Sequence, residues 1–152
     1  MEEITPSWSK ETTQTILVVD SDEAVLETLL AILKYANFRV LSANSAVSAL
    51  KLAEETDGKI HMLLSEVNLP DMAGPDLGEA LKKTRRDIHV MLTSGGTNGN
   101  LLVLNYGWAY IQKPSVPTKL VEMIRYVLGS PNRSQLGGQE FDSRKDDRNE
   151  HN

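Results

Sequence analysis

Cysteine is absent from this 152-residue chain, so disulfides and thiolate metal sites are excluded. Also absent is any apolar run near the roughly 20 residues that span a bilayer. The opening "MEEITPSWSK" lacks the basic-then-apolar pattern of a secretion signal, and a cytoplasmic protein is expected. Long basic blocks are missing too, and the net charge is −5. A nucleic-acid groove, which needs Lys and Arg to neutralise phosphates, is therefore not expected. No internal repeat is present. "TSGGTNGN" (93–100) lacks the Gly-Lys-Ser/Thr ending of a phosphate-binding loop. Neither Ser65 nor Ser94 lies in a Gly-x-Ser-x-Gly elbow, which speaks against a hydrolase.

What is present suits one globular domain: 40% of the residues are hydrophobic. The two ends differ from the middle. Residues 1–14 form a polar tail carrying Pro6. Beyond Gly129 only Leu136 and Phe141 are large and apolar. Burial there cannot offset the entropy of ordering, so 130–152 is expected to be a disordered tail, too short for a second, DNA-binding domain. The domain proper is 15–129.

Within it, strand and helix patterns alternate. "TILVV" (15–19) is a β-branched run fit for a strand buried on both faces. Val25, Leu26, Leu29, Leu30 and Leu33 then follow at helical spacing over 23–36. "FRVLSA" (38–43) is the second strand. Val47, Leu50 and Ala53 mark the second helix, with Gly58 after its end. "HMLLS" (61–65) is the third strand, and Pro75 opens a helix that buries Leu77 and Leu81. "IHVMLTS" (88–94) and "AYIQ" (109–112) are the last strands, separated by a weaker helix around 99–106. Pro117 opens a final helix with Leu120, Met123, Ile124, Val127 and Leu128 on one face.

Five such units imply an α/β fold: a parallel sheet with helices on both faces. The order 2-1-3-4-5 is one of the two common doubly wound arrangements. Function in such sheets gathers beyond the carboxyl ends of the strands, where the order reverses, here between strands one and three. The topology therefore brings Asp20, Glu66, Thr93 and Lys113 to one rim. His61 and His89 start their strands on the opposite rim, with no carboxylate cluster beside them.

"ILVVDSDEAVLETL", "LLSEVNLPDMAGPDL", "VMLTSG" and "YIQKP" resemble the receiver domain of two-component response regulators over about residues 15–129. The resemblance implies a site. In the family, two acidic residues after the first strand help bind Mg²⁺, and an Asp ending the third accepts a phosphoryl group from a histidine kinase. A Thr or Ser after the fourth strand and a Lys after the fifth contact its oxygens. Carried over, Asp20 fills the first acidic position and Ser21 the second, with Asp22 beside them. Glu66 falls at the acceptor position, Thr93 and Lys113 at the phosphoryl-contact positions, and Tyr110 at an aromatic that in many receivers changes rotamer. The Glu66–Thr93 and Thr93–Lys113 stretches are slightly shorter than is usual, so the fourth helix and its loops, often a signalling face, are expected to be altered.

Two departures matter. Glu66 stands for an Asp, and Ser21 stands for an acid. One added methylene moves the carboxylate by about 1.5 Å, and a misplacement of about 1 Å can cost ~100-fold in rate. Ser21 offers a neutral hydroxyl where Mg²⁺ needs a strong oxygen ligand. Asp20, Glu66 and the Asn68 carbonyl would hold Mg²⁺ only weakly. The longer carboxylate is expected to reach Lys113 instead, with a Coulomb attraction of about 4 kcal/mol at about 4 Å and an effective dielectric of about 20, before desolvation. Thr93 is expected to donate to the same carboxylate.

Plainer readings stand beside these. Charged residues at strand ends are often only solvated, Lys113 would then be a surface lysine, and Thr93 would cap the next turn. Trp108 beside Tyr110 is either an exposed partner contact or packing. A flavin protein of this strand order would need its phosphate after strand one, where Asp20, Asp22 and Glu23 repel anions. The reading favoured by the residues is a stand-alone, non-enzymatic receiver-like module, a monomer or weak dimer without a cofactor. It would bind a histidine kinase or other signalling protein through a face around Trp108, Tyr110 and the 117–128 helix. The competing reading is a working phosphoacceptor using another carboxylate, Asp20 or Asp71.

Overall fold

The computed structural model describes residues 13–95, 108–113 and 116–129. The helix expected around 99–106, the tail 130–152 and all but the last two residues of the tail 1–14 lie outside these. The described chain forms β1 (Thr15–Val19), α1 (Glu23–Tyr35), β2 (Arg39–Ala43), α2 (Ala46–Glu55), β3 (Met62–Glu66), α3 (Gly74–Thr84), β4 (His89–Ser94), β5 (Ala109–Gln112) and α4 (Pro117–Leu128). All five strands are parallel, in the order β2-β1-β3-β4-β5. The sheet is the one the sequence implies.

Alternation along the strands divides the core in two. Leu17, Val19, Leu63, Val90 and Leu92 face α2 and α3. Ile16, Val18, Met62, Leu64 and Met91 face α1 and α4. Each such side chain taken from water contributes roughly 1.5–3 kcal/mol, which is why β1 and β3 are apolar throughout. α4 seats Leu120, Ile124 and Val127 on the sheet as its spacing predicts. α2 forms where Val47, Leu50 and Ala53 mark it. It buries Ala46, Ala49 and Ala53, while Val47 is largely exposed and Leu50 only partly covered. Small side chains let this helix lie close to the sheet.

Element ends shift by a residue for local reasons. α1 stops at Tyr35 rather than 36, because Asn37 takes a left-handed φ of 75° and the Phe38 N–H closes back on the Leu33 carbonyl. Phe38 is thus outside β2, although its ring is buried. β3 begins at Met62 and extends to Glu66, so this carboxylate belongs to the last paired position of the strand, opposite Thr93.

Candidate functional site

The period of two that sorts the core also builds the mouth. Ile16 and Val18 are followed on the same face by Asp20. Met62 and Leu64 are followed by Glu66, Met91 by Thr93, and Ala109 and Ile111 by Lys113. Register keeps them level: Val19 pairs with Ser65, and Glu66 with Thr93. The four residues expected at one rim therefore share one side of it, at the α1/α4 face.

Asp20 is fully buried. Its Oδ1 accepts the Asp22 N–H at 2.9 Å, and its Oδ2 accepts from Lys113 Nζ at 2.8 Å. Lys113 Nζ lies 3.8 Å from Glu66 Oε2. The Glu66 Oε1 atom accepts both the Ser21 N–H, at 3.1 Å, and the Ser21 hydroxyl, at 3.0 Å. Two expectations change here. Lys113 sits closest to Asp20, not Glu66, since a buried carboxylate has no water to turn to and holds the ammonium more tightly. Thr93 is buried but does not donate to Glu66, whose carboxylate is drawn to the opposite side by Ser21.

The other acids are engaged elsewhere. Asp22 is the N-cap of α1, its Oδ1 accepting from the Ala24 and Val25 N–H groups, and it is not a ligand turned into the mouth. Asp71 caps a helix other than its own: its two oxygens take the Ala46 and Val47 N–H groups of α2 at 2.9 and 2.8 Å. Those two bonds, first Ala46 and then Val47, hold its carboxyl below the usual carboxylate range. Asn68 forms an isolated bridge with Ala73 that closes the loop after β3.

Tyr110 is half-buried, its hydroxyl donating to the Ser94 carbonyl at 3.4 Å. Trp108 is only 5% exposed and packs over Gly78, where an added Cβ would sit 2.9 Å from the indole ring. It is packing, and the expected contact face loses its most hydrophobic member. Three supporting residues escape a sequence reading. Ser65, fully buried, donates to the Glu66 carbonyl at 2.8 Å. The Asp71 cap needs two segments 24 and 25 residues apart to meet. At Gly74 a Cβ would collide with the Glu66 carbonyl oxygen and come within 3.1 Å of Val67 Cα, so glycine lets α3 start directly against the strand that carries Glu66. The "AGPDL" context is the only local signal for it.

The family resemblance implies Mg²⁺, and the donors can be tested against it. Among the described residues no three His, Asp, Glu or Cys side chains are grouped to hold a metal ion. Mg²⁺ demands near-octahedral oxygen ligands. Asp20 and Glu66 instead share one ammonium, and the Ser21 hydroxyl points its hydrogen at Glu66. This donor set does not fit the ion.

Residues 16–125 match the response regulator receiver domain family. The transcriptional regulatory protein CpxR of Escherichia coli K12 is 33% identical over 115 residues, covering 74% of this chain and 48% of CpxR. The two-component response regulator ARR12 of Arabidopsis thaliana is 29% identical over 118 residues, 76% of this chain and 20% of ARR12. The chain thus spans less than half the length of these curated relatives. Among solved structures, a CheY-like response regulator receiver domain protein from Methanospirillum hungatei JF-1 superposes with a TM-score of 0.69 at 32% identity, covering 77% of this chain and 94% of that one. The receiver domain of the hybrid histidine kinase CckA superposes at 0.60 with 30% identity, covering 75% and 98%. The fold is that of a receiver domain. The chain belongs to the response regulator receiver domain family, and so to the receivers of two-component signal transduction. Among the described residues no helix is long and apolar enough to cross a membrane.

Proposed function

We propose that this receiver is degenerate: it works as a protein-interaction module in two-component signalling without being phosphorylated at the usual position. One observation carries this. The lysine of the mouth, Lys113, is already engaged from within, lying 2.8 Å from Asp20 and 3.8 Å from Glu66, while Ser21 takes up the remaining Glu66 oxygen. Aspartyl phosphorylation depends on an in-line carboxylate and charge neutralisation of the incoming group. Here the longer carboxylate is turned aside, and the lysine is occupied. Glu66 carries one negative charge against nearly two on a phosphoryl group, so it imitates a phosphorylated state only in part.

The module acts in the cytoplasm by holding a histidine kinase or another signalling protein, in competition with phosphorylatable receivers. CckA of Brucella abortus, named a sensor kinase, contains a segment 36% identical to 81 residues of this chain, which supports a partner of that class. With Trp108 buried, the contact falls to the exposed side of α4, where Tyr126 is 55% exposed. Incubation with acetyl phosphate and Mg²⁺, followed by intact mass, tests the reading. The expected result is no added phosphoryl mass. A rapid gain of one phosphoryl group that disappears in Asp20→Asn would overturn it in favour of transfer through Asp20.

A further inference from the structure

The serine after Asp20 looks like a lost acid in sequence, but the geometry gives it a task. Two donors of one residue, the Ser21 N–H and hydroxyl, converge on the same Glu66 oxygen from 45 positions away. The second Glu66 oxygen remains at 3.8 Å from Lys113, beyond hydrogen-bond range. The Glu66 side chain keeps 19% of its surface in contact with solvent, so water alone would satisfy it. The serine is therefore not needed to solvate a buried charge. What it does is select a direction.

We propose that Ser21 is a positioning residue for Glu66, whose hydroxyl fixes the carboxylate on the β1–α1 side of the mouth and thereby leaves Lys113 to Asp20. The proposal deepens the internally paired reading of the site and rests on it. The identities at 21 and 66 form one unit. An aspartate at 66 would withdraw the carboxylate by about one C–C bond, roughly 1.5 Å, out of reach of the hydroxyl. An acid at 21 would set a like charge against Glu66 at hydrogen-bond distance, which is unfavourable for both. A serine at 21 suits a glutamate at 66, and neither substitution is a separate loss.

The test is the side-chain conformation of Glu66, read by three-bond scalar couplings across its χ1 and χ2 in the whole chain, with Ser21→Ala and Ser21→Thr. The native protein should show the couplings of a single rotamer. Ser21→Ala should show averaged couplings with an otherwise unchanged amide spectrum, and Ser21→Thr, which restores a hydroxyl, should return them to native values. A general loss of packing would move the amide spectrum and would not be rescued by threonine. Single-rotamer couplings kept in Ser21→Ala would overturn the proposal, placing control of Glu66 with Lys113 or the backbone. The phosphoryl-mass assay on the native chain fails or succeeds independently, so a wrong reading of the site and a wrong role for Ser21 give different results.

Discussion

The two rims of the sheet use polar side chains in opposite ways. At the amino rim they bind backbone. Arg85 donates to the carbonyls of Ala53, in the last turn of α2, and of Thr56 and Gly58 beyond it. Lys82 donates to Ile88 O at 2.6 Å, its half-burial pulling its pKa below the usual lysine value. Arg125 donates to Ala36 O after α1 while lying over the Phe38 ring. His61 Nδ1 accepts the Thr15 N–H. At the carboxyl rim side chains bind one another across 93 and 45 positions, Lys113 to Asp20 and Ser21 to Glu66. A side chain bonded to backbone repairs a helix end or a strand start. The two long-range side-chain pairs at the strand-order reversal make no such repair, and they set the carboxyl rim apart. Asp22, Ser65, Asp71 and Tyr110 bond to backbone at this rim as well.

The contrast predicts an asymmetry within the carboxyl rim itself. Lys113→Met leaves the fully buried Asp20 charge with the Asp22 N–H as its remaining partner. Breaking a buried pair from that side costs about 3 kcal/mol of unfolding free energy. Asp20→Asn leaves a lysine whose side chain is 23% exposed and can turn to water, so the cost should stay near 1 kcal/mol. Adding Asp20→Asn to Lys113→Met should recover much of the loss. Urea denaturation of the three variants measures this. Equal costs for the two single changes would mean that the pair is solvated like a surface salt bridge.

At the amino rim the largest effect should come from Arg85→Ala. Three charge-assisted donors are lost at once. Part of that loss is repaired by water, because Gly58 is exposed and Arg85 and Thr56 are only partly buried. The expected destabilisation is about 2 kcal/mol, with no change in the outcome of the phosphoryl-mass assay. A change in phosphoryl uptake would break the division between a structural and a functional rim.

The fold was legible because its signals are local and periodic. β-branched runs, helical spacing in α1 and α4, and prolines at the starts of α3 and α4 each act over a few residues. The gathering of Asp20, Glu66, Thr93 and Lys113 was legible as well, since topology alone brings strand ends together. Which of them bond was not. Lys113 had two carboxylates within reach, and the choice turned on burial, 1% for the Asp20 side chain against 19% for Glu66, a property no single segment encodes. Ser21 read as a missing ligand because its partner lies 45 residues away. Trp108 was ambiguous until the bare face of Gly78 supplied the surface it packs on. The alanine stripe of α2 was hidden because Val47 and Leu50 are the more hydrophobic residues of that segment, yet tight packing on the sheet favours the smaller side chain.

The smallest predicted effect is a pH dependence confined to the amino rim. Burial lowers the His61 pKa from its ordinary value of 6.5, and the neighbouring Lys59 and His89 lower it further. With Nδ1 accepting from Thr15 at 3.0 Å, the folded ring is neutral with its proton on Nε2. A group whose folded pKa lies below its unfolded value contributes its full stability above about pH 6.5. As the pH falls through the interval between the two pKa values the unfolded chain takes up the proton first, and unfolding becomes easier. His61→Asn places an amide oxygen near the Nδ1 position, keeps the bond from Thr15 and removes the titration. Urea midpoints of the native chain should fall between pH 7 and pH 5, and those of the variant should fall less. Parallel curves would assign the slope to other groups and remove His61 from the stitching of this rim.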